Sequence, residues 1–530
     1  MKKTSAKSTF FGGAATLAVG IIIVKLIGAL YKIPLGRILG DVGFGHFNNA
    51  YAVFNLLLMV STAGLPVAMS KTISEANATG RHNQVGRIFR VSLVTFVILG
   101  SVTSAIMFFF AQPLANFQND SLAAPAIQAM ALTAFFLCTI SAYRGYAQGH
   151  SDMVPTAVSQ VIEAVTKLVV GLVLAWYLLR IGCSSEIAAA GAIFGVTASG
   201  FVSLIYLMIR HHWRPRSVRP LSHDQPQSPG TILKTLAAIA VPITLSSSVV
   251  PITTYLDTVQ VQHLLQSALG YTEEMAVSLY GCYQKAVSIY NLPSSFMVAL
   301  TASIVPAVSA ALASKDQASA GKITESALRM GSLLAIPAGV GLAVLSGPVI
   351  LLLFPETNQE VGSACMLILG LASIFVCIML LCNAILQANG RAALPIWFIA
   401  IGSALKLLVN YLLVQTPTFG IKGAPIGTLV CFFLVAVMEL MAIKKVTPHP
   451  PRYMRVFVKP LIASVCMGGA VWAVYGLLAN SLGNTLSVGL SILAGVFVYG
   501  VLVILLKAVS RDDLSLMPKG EKIAKLLRIQ

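Results

Sequence analysis

The chain has 530 residues, of which 57% are hydrophobic and only 10% charged, and its formal net charge is +18. A soluble domain carries about 25% charged residues, so this composition excludes a soluble globular protein and indicates an integral membrane protein. The eight cysteines form no CxxC pair and no cluster with histidine, so the sequence indicates neither a disulfide framework nor a zinc site.

Long apolar stretches follow one another along almost the whole chain. About fourteen of them are long enough to cross a hydrocarbon core of ~30 Å as a helix. The predicted spans are residues 9–34, 46–69, 91–112, 122–147, 156–179, 187–209, 232–264, 276–304, 328–353, 362–388, 393–414, 422–443, 456–479 and 486–507. The predicted fold class is therefore an all-α integral membrane protein with about 14 transmembrane helices.

The 36 lysines and arginines are distributed unevenly between alternate loops. With a cytoplasmic N-terminus, 28 lie on the cytoplasmic side, four lie outside and four lie within spans. The positive-inside rule therefore places both termini in the cytoplasm. It also accounts for the net charge without a nucleic-acid partner.

Two halves of the chain resemble each other at an offset of about 232 to 240 residues. The segment "GHFNNAYAVFNLL" (45–57) matches "GCYQKAVSIYNLP" (281–293), and "GAIFG" (191–195) matches "GAPIG" (423–427). Six spans therefore repeat as six in the same membrane orientation. Parallel repeats of this kind are typical of transporters whose two bundles surround a central cavity.

The repeat predicts three domains. Residues 1–220 form an N-terminal six-helix bundle, and residues 221–450 form a second bundle that repeats the first. Residues 451–530 add two further spans and a basic cytoplasmic tail.

Cations inside predicted spans are functional candidates, because a charge near the bilayer centre costs several kcal/mol unless it faces water or a partner. "KLIGALYKIPLGR" (25–37) carries Lys25, Lys32 and Arg37, and the two lysines are two helical turns apart on one face. Snorkelling to the interface is an alternative for Lys32 and Arg37. Lys285 on the eighth span is the candidate of the second half for the same cavity.

Amides occupy matching positions of the second and eighth spans: Asn48, Asn49, Asn55, Gln284 and Asn291. Ammonium and guanidinium groups attract phosphate strongly at low dielectric, and amides suit sugar hydroxyls. A cationic, amide-lined cavity therefore predicts an anionic, sugar-bearing head group as substrate. The alternative is that the lysines are structural and pair with helix ends.

The remaining charges within spans predict a different role. Glu163 and Lys167 are four residues apart on one helix and can neutralise each other as a structural pair. Lys406 lies one turn before Asn410 and at a depth similar to Asp257. We expect either a Lys406–Asp257 ion pair or a proton-coupling site built on Asp257.

Catalytic and nucleotide-binding motifs are absent from the sequence. There is no GxxxxGK[S/T], no HExxH and no GxSxG, and the longest loop has only about 20 residues. We therefore expect a transporter rather than an enzyme, and no cofactor. Energy would come from H⁺ or Na⁺ gradients, from the membrane potential, from a partner, or from downhill flow of substrate.

These residues resemble a known family. The run "KLIGALYKIPLGRILGDVGFGHFNNAYAVFNLLLMVSTAGLPVAMSKTISEA", the paired Gln/Pro/Lys spacing before spans 5 and 11, and "FGIKGAPIGT" (419–428) look like the polysaccharide transporters of the multidrug/oligosaccharidyl-lipid/polysaccharide superfamily. Within it the chain is most similar to the stage V sporulation protein B group, relatives of the lipid II flippases. The resemblance covers the whole chain.

The resemblance implies a bacterial plasma-membrane flippase that moves an undecaprenyl-pyrophosphate-linked sugar, such as lipid II or a related polysaccharide unit, to the outer leaflet by alternating access. It implies that Lys25, Lys32 and Lys285 are basic cavity residues, all Lys where Arg is common, and that Asn49 lies where the flippases carry a further basic residue. The two extra spans would form a groove for the polyprenyl tail. Implied partners are the lipid-linked anionic glycan, membrane lipids and other cell-wall synthesis proteins, with a monomer as the functional unit.

Two rival functions differ in what they require. A multidrug or cation antiporter of the same superfamily would need cavity carboxylates, and the spans offer mainly Asp257 and Glu163. A membrane-embedded glycan polymerase or ligase would need a sizeable outer loop with catalytic residues, and the outer loops are short.

Overall fold

The structure, a computed structural model, describes residues 3–213, 224–314, 316–447 and 450–509. Within these ranges every regular element is a helix and there is no strand, which confirms the all-α prediction. Eleven helices of the described residues are long and apolar enough to cross a membrane. The chain is therefore a multi-pass membrane protein, as predicted. Most of the predicted basic tail, from residue 510 onward, lies outside the described residues.

The chain divides into two compact units, Met1–Gly281 and Cys282–Gln530. The first contains the helices α1 (Lys3–Thr62), α2 (Leu65–Ala78), α3 (His82–Phe109), α4 (Ala111–Phe117), α5 (Ala124–Gly149), α6 (Val154–Arg180), α7 (Ser185–His212) and α8 (Pro229–Ser267). A 3₁₀ turn, Ser121–Ala123, precedes α5, and the boundary between the units falls within α9 (Glu273–Tyr290).

The second unit continues from the end of α9. Its helices are α10 (Leu292–Ala313), α11 (Gln317–Val344), α12 (Ser346–Leu353), α13 (Gln359–Ala388), α14 (Ala393–Val414), α15 (Gly423–Val446) and α16 (Tyr453–Leu505). A 3₁₀ turn, Gly420–Lys422, precedes α15. The predicted eighth span is divided between α9 and α10, because Pro293 occupies the first turn of α10, where the missing N–H is tolerated.

Two helices are too long for a single crossing. α1 has 60 residues, or about 90 Å at 1.5 Å per residue, and α16 has 53. Each is interrupted by one glycine with left-handed backbone, Gly40 (φ 69°) and Gly483 (φ 73°). These breaks fall between predicted spans 1 and 2 and between spans 13 and 14. The total of fourteen spans, the sidedness of the termini and the three-domain division stay predictions.

Small residues bring helices close together in both units. In the first unit, a Cβ atom on Gly195 of α7 would overlap the backbone of Gly171 on α6. In the second unit, a Cβ atom on Gly370 of α13 would lie 2.8 Å from the backbone nitrogen of Ala343 on α11. Membrane helices associate largely through such close packing, because lipid supplies no hydrophobic drive between them.

The break at Gly40 leads to a stability prediction. Gly40→Ala places a side chain in left-handed backbone and is expected to destabilise the protein by about 1–2 kcal/mol. Gly28→Ala is the control, since Gly28 lies in the same helix with nothing within 4 Å of an added Cβ, and is expected to be neutral or slightly stabilising. Denaturant unfolding in detergent measures both, and equal stabilities would contradict the assigned break.

Candidate substrate-binding site

The helix α1 positions the basic side chains that the sequence singled out. It is helical from Lys3 to the break at Gly40, with Pro34 inside it, and Lys25 and Lys32 lie two turns apart on the same side before that proline. Lys25 is exposed, Lys32 is half-buried, and Arg37 is exposed near the break. The predicted one-sided cationic stretch is therefore present in the first unit.

Lys167 of α6 joins the lysines of α1. Lys32 is close enough to Lys167 and to Lys25 to be repelled electrostatically by both ammonium groups, and Lys167 is the stronger of the two influences. We call Lys25, Lys32 and Lys167 the lysine cluster. Three like charges among apolar helices repel one another at low dielectric, so the cluster favours an anion beside it.

Tyr31 holds Lys167 in place. The Lys167 Nζ lies 5.3 Å from the centroid of the Tyr31 ring, within the range of a cation–π contact. Tyr31 is 1% exposed, and its hydroxyl donates to the carbonyl oxygen of Ala192 on α7 at 3.3 Å. The ring is therefore fixed between α6 and α7 and orients the Lys167 ammonium.

Glu163 attracts the Lys167 ammonium electrostatically, as the predicted local pair requires, but its direct bond is to another residue. Glu163 Oε1 instead accepts from Arg144 Nη2 at 2.9 Å, and Arg144 Nε donates to the Ser159 hydroxyl at 2.9 Å. Arg144 lies five residues before the end of α5, Ser159 lies five residues after the start of α6, and Glu163 follows Ser159 by about one helical turn. Glu163 is therefore bonded directly to Arg144 while it also attracts the Lys167 ammonium electrostatically.

The Arg144–Glu163 pair leads to a second stability prediction. Both side chains are only 15–20% exposed, so Arg144→Ala should cost about 1–3 kcal/mol by leaving a carboxylate without its donor. The double variant Arg144→Ala with Glu163→Gln should recover part of that loss, because the unpaired charge is gone. Denaturant unfolding of both single variants and the double variant gives the coupling energy. Strictly additive losses would mean that the pair is not coupled.

Two of the three amides of α1 that were predicted to contact substrate are buried and bonded to protein groups. Asn48 is buried and donates to the Phe44 carbonyl oxygen at 2.7 Å, whereas Asn49 is fully buried and donates to Asp120 at 2.5 Å. Of the predicted amides on this helix, Asn55 alone is exposed. In this conformation Asn48 and Asn49 bind protein groups, and a contact with substrate stays a prediction.

Lys285 and its neighbouring amides lie in the second unit. Lys285 is 1% exposed, and its Nζ lies 5.4 Å from the centroid of the Phe354 ring. Gln284 is half-buried, and Asn291 is exposed while donating to the Val287 carbonyl oxygen at 2.9 Å. The Lys285 ammonium is thus enclosed in this conformation.

The residues predicted for ion coupling lie in different surroundings. Asn410 of α14 is fully buried, and a Cβ atom on Gly427 of α15 would overlap its Oδ1, so Asn410 is part of the α14–α15 contact. Lys406 is half-buried, and Asp257 of α8 is 5% exposed. The Lys406–Asp257 pair stays a prediction. No three His, Cys, Asp or Glu side chains of the described ranges are grouped to hold a metal ion.

Comparison with known sequences identifies relatives along the whole chain. The model of the family described as "Polysaccharide biosynthesis protein" matches residues 11–312. Stage V sporulation protein B of Bacillus subtilis (strain 168) is 25% identical over 531 residues, covering 97% of this chain and 98% of that protein. The lipid II flippase MurJ of the same organism is 24% identical over 488 residues and 88% of each chain. The predicted family resemblance is confirmed.

Comparison with solved structures identifies the fold. The lipid II flippase MurJ in an inward closed conformation aligns with a TM-score of 0.72 at 14% identity, covering 92% of this chain and 98% of that one. An inward-facing multidrug resistance MATE transporter of the MOP superfamily aligns with a TM-score of 0.66 at 16% identity, covering 81% and 98%. At these identities the likeness shows the fold alone.

Proposed function

The chain belongs to the polysaccharide biosynthesis protein family, and from that premise we propose that it is a flippase for a lipid-linked glycan. The substrate is an undecaprenyl-pyrophosphate-linked sugar, either the peptidoglycan precursor lipid II or a related polysaccharide unit. The protein moves it from the cytoplasmic to the outer leaflet of the plasma membrane. Similarity to a lipid II flippase over 88% of the chain supports this assignment.

The lysine cluster is the observation that carries the proposal. Lys32 lies within electrostatic range of the Lys25 and Lys167 ammonium groups, and Glu163, which also attracts Lys167, is bonded to Arg144. A diphosphate supplies the negative charge that such a cluster lacks, through charge-assisted hydrogen bonds of about 1.5–3 kcal/mol each. A cationic drug, the substrate class of an antiporter, would be repelled from it.

The second unit contributes Lys285 under this proposal. The amides Asn49, Asn55, Gln284 and Asn291 would contact the sugar, and Arg37 would attract the head group near the membrane surface. Lys285 is enclosed in the present conformation, so alternating access requires a second state in which it meets the phosphates. Lysine binds phosphate as a point charge, which suits a head group that must also be released.

The proposal also includes a membrane topology and a domain division. Fourteen crossings follow if α1 and α16 each turn back at their glycine breaks and α9 with α10 form one span, and both termini then lie in the cytoplasm. Domains of residues 1–220, 221–450 and 451–530 correspond to two repeated bundles and a helix pair for the polyprenyl tail. Large apolar side chains exposed along α16, among them Trp472, Leu477, Leu493 and Phe497, support a lipid-binding role for that pair.

The cycle needs no cofactor in this proposal. An H⁺ or Na⁺ gradient, the membrane potential or downhill flow of substrate drives it, with Asp257 and Lys406 as coupling candidates. The protein works as a monomer among other cell-wall synthesis proteins.

A vesicle assay tests the proposed function. The purified chain is reconstituted with a fluorescent undecaprenyl-pyrophosphate-linked sugar, and a membrane-impermeant reagent labels or quenches the outer leaflet. Protein-containing vesicles should expose the inner pool within the assay, whereas empty vesicles should protect it. Equal protection in both would contradict the flippase assignment.

A further inference from the structure

A buried ionisable pair lies at one end of the first unit, apart from the lysine cluster. His46 of α1 is 1% exposed and Asp120, in the connection before the 3₁₀ turn, is 0% exposed. The His46 Nδ1 lies 2.7 Å from Asp120 Oδ1 and 2.9 Å from Oδ2. The amide nitrogen of Asn49 donates to Oδ2 at 2.5 Å. Both carboxylate oxygens are therefore held by α1.

The connection that carries Asp120 is also bound by other elements. We call residues 118–121 the Asp120 connection. Ser121 donates its backbone N–H and its hydroxyl to Glu273 Oε1 at 2.5 and 2.6 Å, and Gln266 Nε2 donates to the Asn119 carbonyl oxygen at 2.6 Å. These contacts tie the connection to the first turn of α9 and to the end of α8. By the predicted topology this is the outer end of the unit.

The charges around His46 are mainly negative. Asp120 contacts it directly, and Glu186 in the first turn of α7 lies within electrostatic range. Asp41 precedes it by five residues on α1, and Glu273 accepts from Ser121 in the neighbouring connection. Since a buried carboxylate needs a counter-charge, the imidazolium form of His46 is the one that neutralises the pair.

Several buried polar atoms at and near His46 have no hydrogen-bond partner. His46 Nε2 is buried with no hydrogen-bond partner, and so are Asn49 Oδ1 and both amide atoms of Gln118. Because Nδ1 faces the carboxylate and donates to it, the second proton of an imidazolium must be carried by Nε2. That atom can receive it from water only when the connection moves.

We propose that the His46–Asp120 pair is a proton-binding site that latches the Asp120 connection to α1. A proton taken up at Nε2 turns the pair into a neutral imidazolium–carboxylate ion pair and holds the connection closed. Its release to water leaves one uncompensated negative charge in the closed site, which favours opening. Proton binding and release at this pair are then coupled to closing and opening of the Asp120 connection, whichever substrate the protein carries.

Hydrogen–deuterium exchange tests the latch on the purified full chain without substrate. Exchange is followed by mass spectrometry in peptides covering residues 118–124, between about pH 5 and pH 8, where histidine changes charge. After division by the intrinsic chemical rate, opening should become more frequent as the pH rises, by up to about tenfold per pH unit. The Ser121 amide is the most direct reporter, because it exchanges only when its bond to Glu273 opens.

Three variants complete the test. His46→Gln removes the titrating imidazole, and its corrected exchange should no longer depend on pH. Asp120→Asn removes the carboxylate that favours the imidazolium, so opening should no longer become more frequent as the pH rises. His150→Gln is the matched control, since His150 lies at the end of α5 and binds the Tyr146 carbonyl oxygen instead, so it should keep the wild-type profile. A flat wild-type profile, or a pH dependence that survives in His46→Gln, overturns the proposal. Failure of the vesicle assay would leave this result unaffected.

Discussion

Lys25→Ala and Lys285→Ala are each expected to abolish transport of the lipid-linked sugar. Each substitution removes a charged donor to the diphosphate, worth about 1.5–3 kcal/mol, or roughly 10- to 150-fold in the rate or affinity that depends on it. Lys25 is exposed, so its replacement leaves no cavity and should not affect folding. The initial rate of leaflet exchange in reconstituted vesicles measures the effect.

Two controls separate loss of function from loss of structure. Lys71→Ala removes an equally positive side chain that is 60% exposed on α2 and loosely paired with Glu75, and it should transport at the wild-type rate. Lys285 is enclosed, so Lys285→Ala could also leave a cavity. Lys285→Met keeps a side chain of similar length without the charge, and it should fold like the wild-type protein but fail to transport. Wild-type rates in both Lys25→Ala and Lys285→Ala would remove the lysines from the proposed site.

Gly281→Ala is expected to cause the largest loss of stability in the chain. An added Cβ would overlap the Asp41 carbonyl oxygen and lie 3.0 Å from the Gly45 backbone nitrogen. Both neighbours are backbone atoms and cannot rotate away, so the cost should reach or exceed about 3 kcal/mol, the upper end for overpacking. Thermal unfolding in detergent and the yield of folded protein measure it.

A glycine in an open environment provides the control. Gly86→Ala, in α3, meets nothing within 4 Å and should leave stability unchanged or raise it slightly. Gly45→Ala should resemble Gly281→Ala, since its Cβ would lie 2.5 Å from the Val277 carbonyl oxygen. If Gly281→Ala unfolds at the wild-type temperature, the close backbone approach at this position is wrong.

Much of the fold could be predicted because lipid imposes simple rules on a chain. Apolar stretches had to become helices, and the described helices cover most of the predicted ranges, although predicted spans 2, 8 and 9 are each divided between two helices. The internal repeat also predicted a local feature of the packing. Gly45 and Gly281 were matched from sequence alone, and their surroundings in the first unit leave no room for a side chain at either position.

The candidate site was less predictable because its partners come from different helices. Glu163 has Lys167 four residues away and attracts it, yet its direct bond is to Arg144 on the preceding helix. Spacing on one helix is visible in sequence, whereas pairing across a hairpin depends on the rotation of both helices. Asn49 could not be distinguished from a cavity amide for the same reason, since Asp120 lies 71 residues further along the chain.

The fold leaves the substrate undecided. A lipid II flippase and a multidrug transporter both superimpose on this chain. The same fold therefore occurs in proteins with different functions, and the substrate has to be argued from the side chains of this chain. The anionic substrate that we propose rests on the lysine cluster.

Recognition of the diphosphate by the lysine cluster is tested most directly by transport of two matched lipids. One is an undecaprenyl-pyrophosphate-linked sugar, and the other carries the same sugar and tail through an uncharged linkage. The wild-type protein should move the charged lipid and leave the uncharged one near the background of empty vesicles, while Lys25→Ala should lose the difference. Equal transport of both lipids by the wild-type protein would contradict the account.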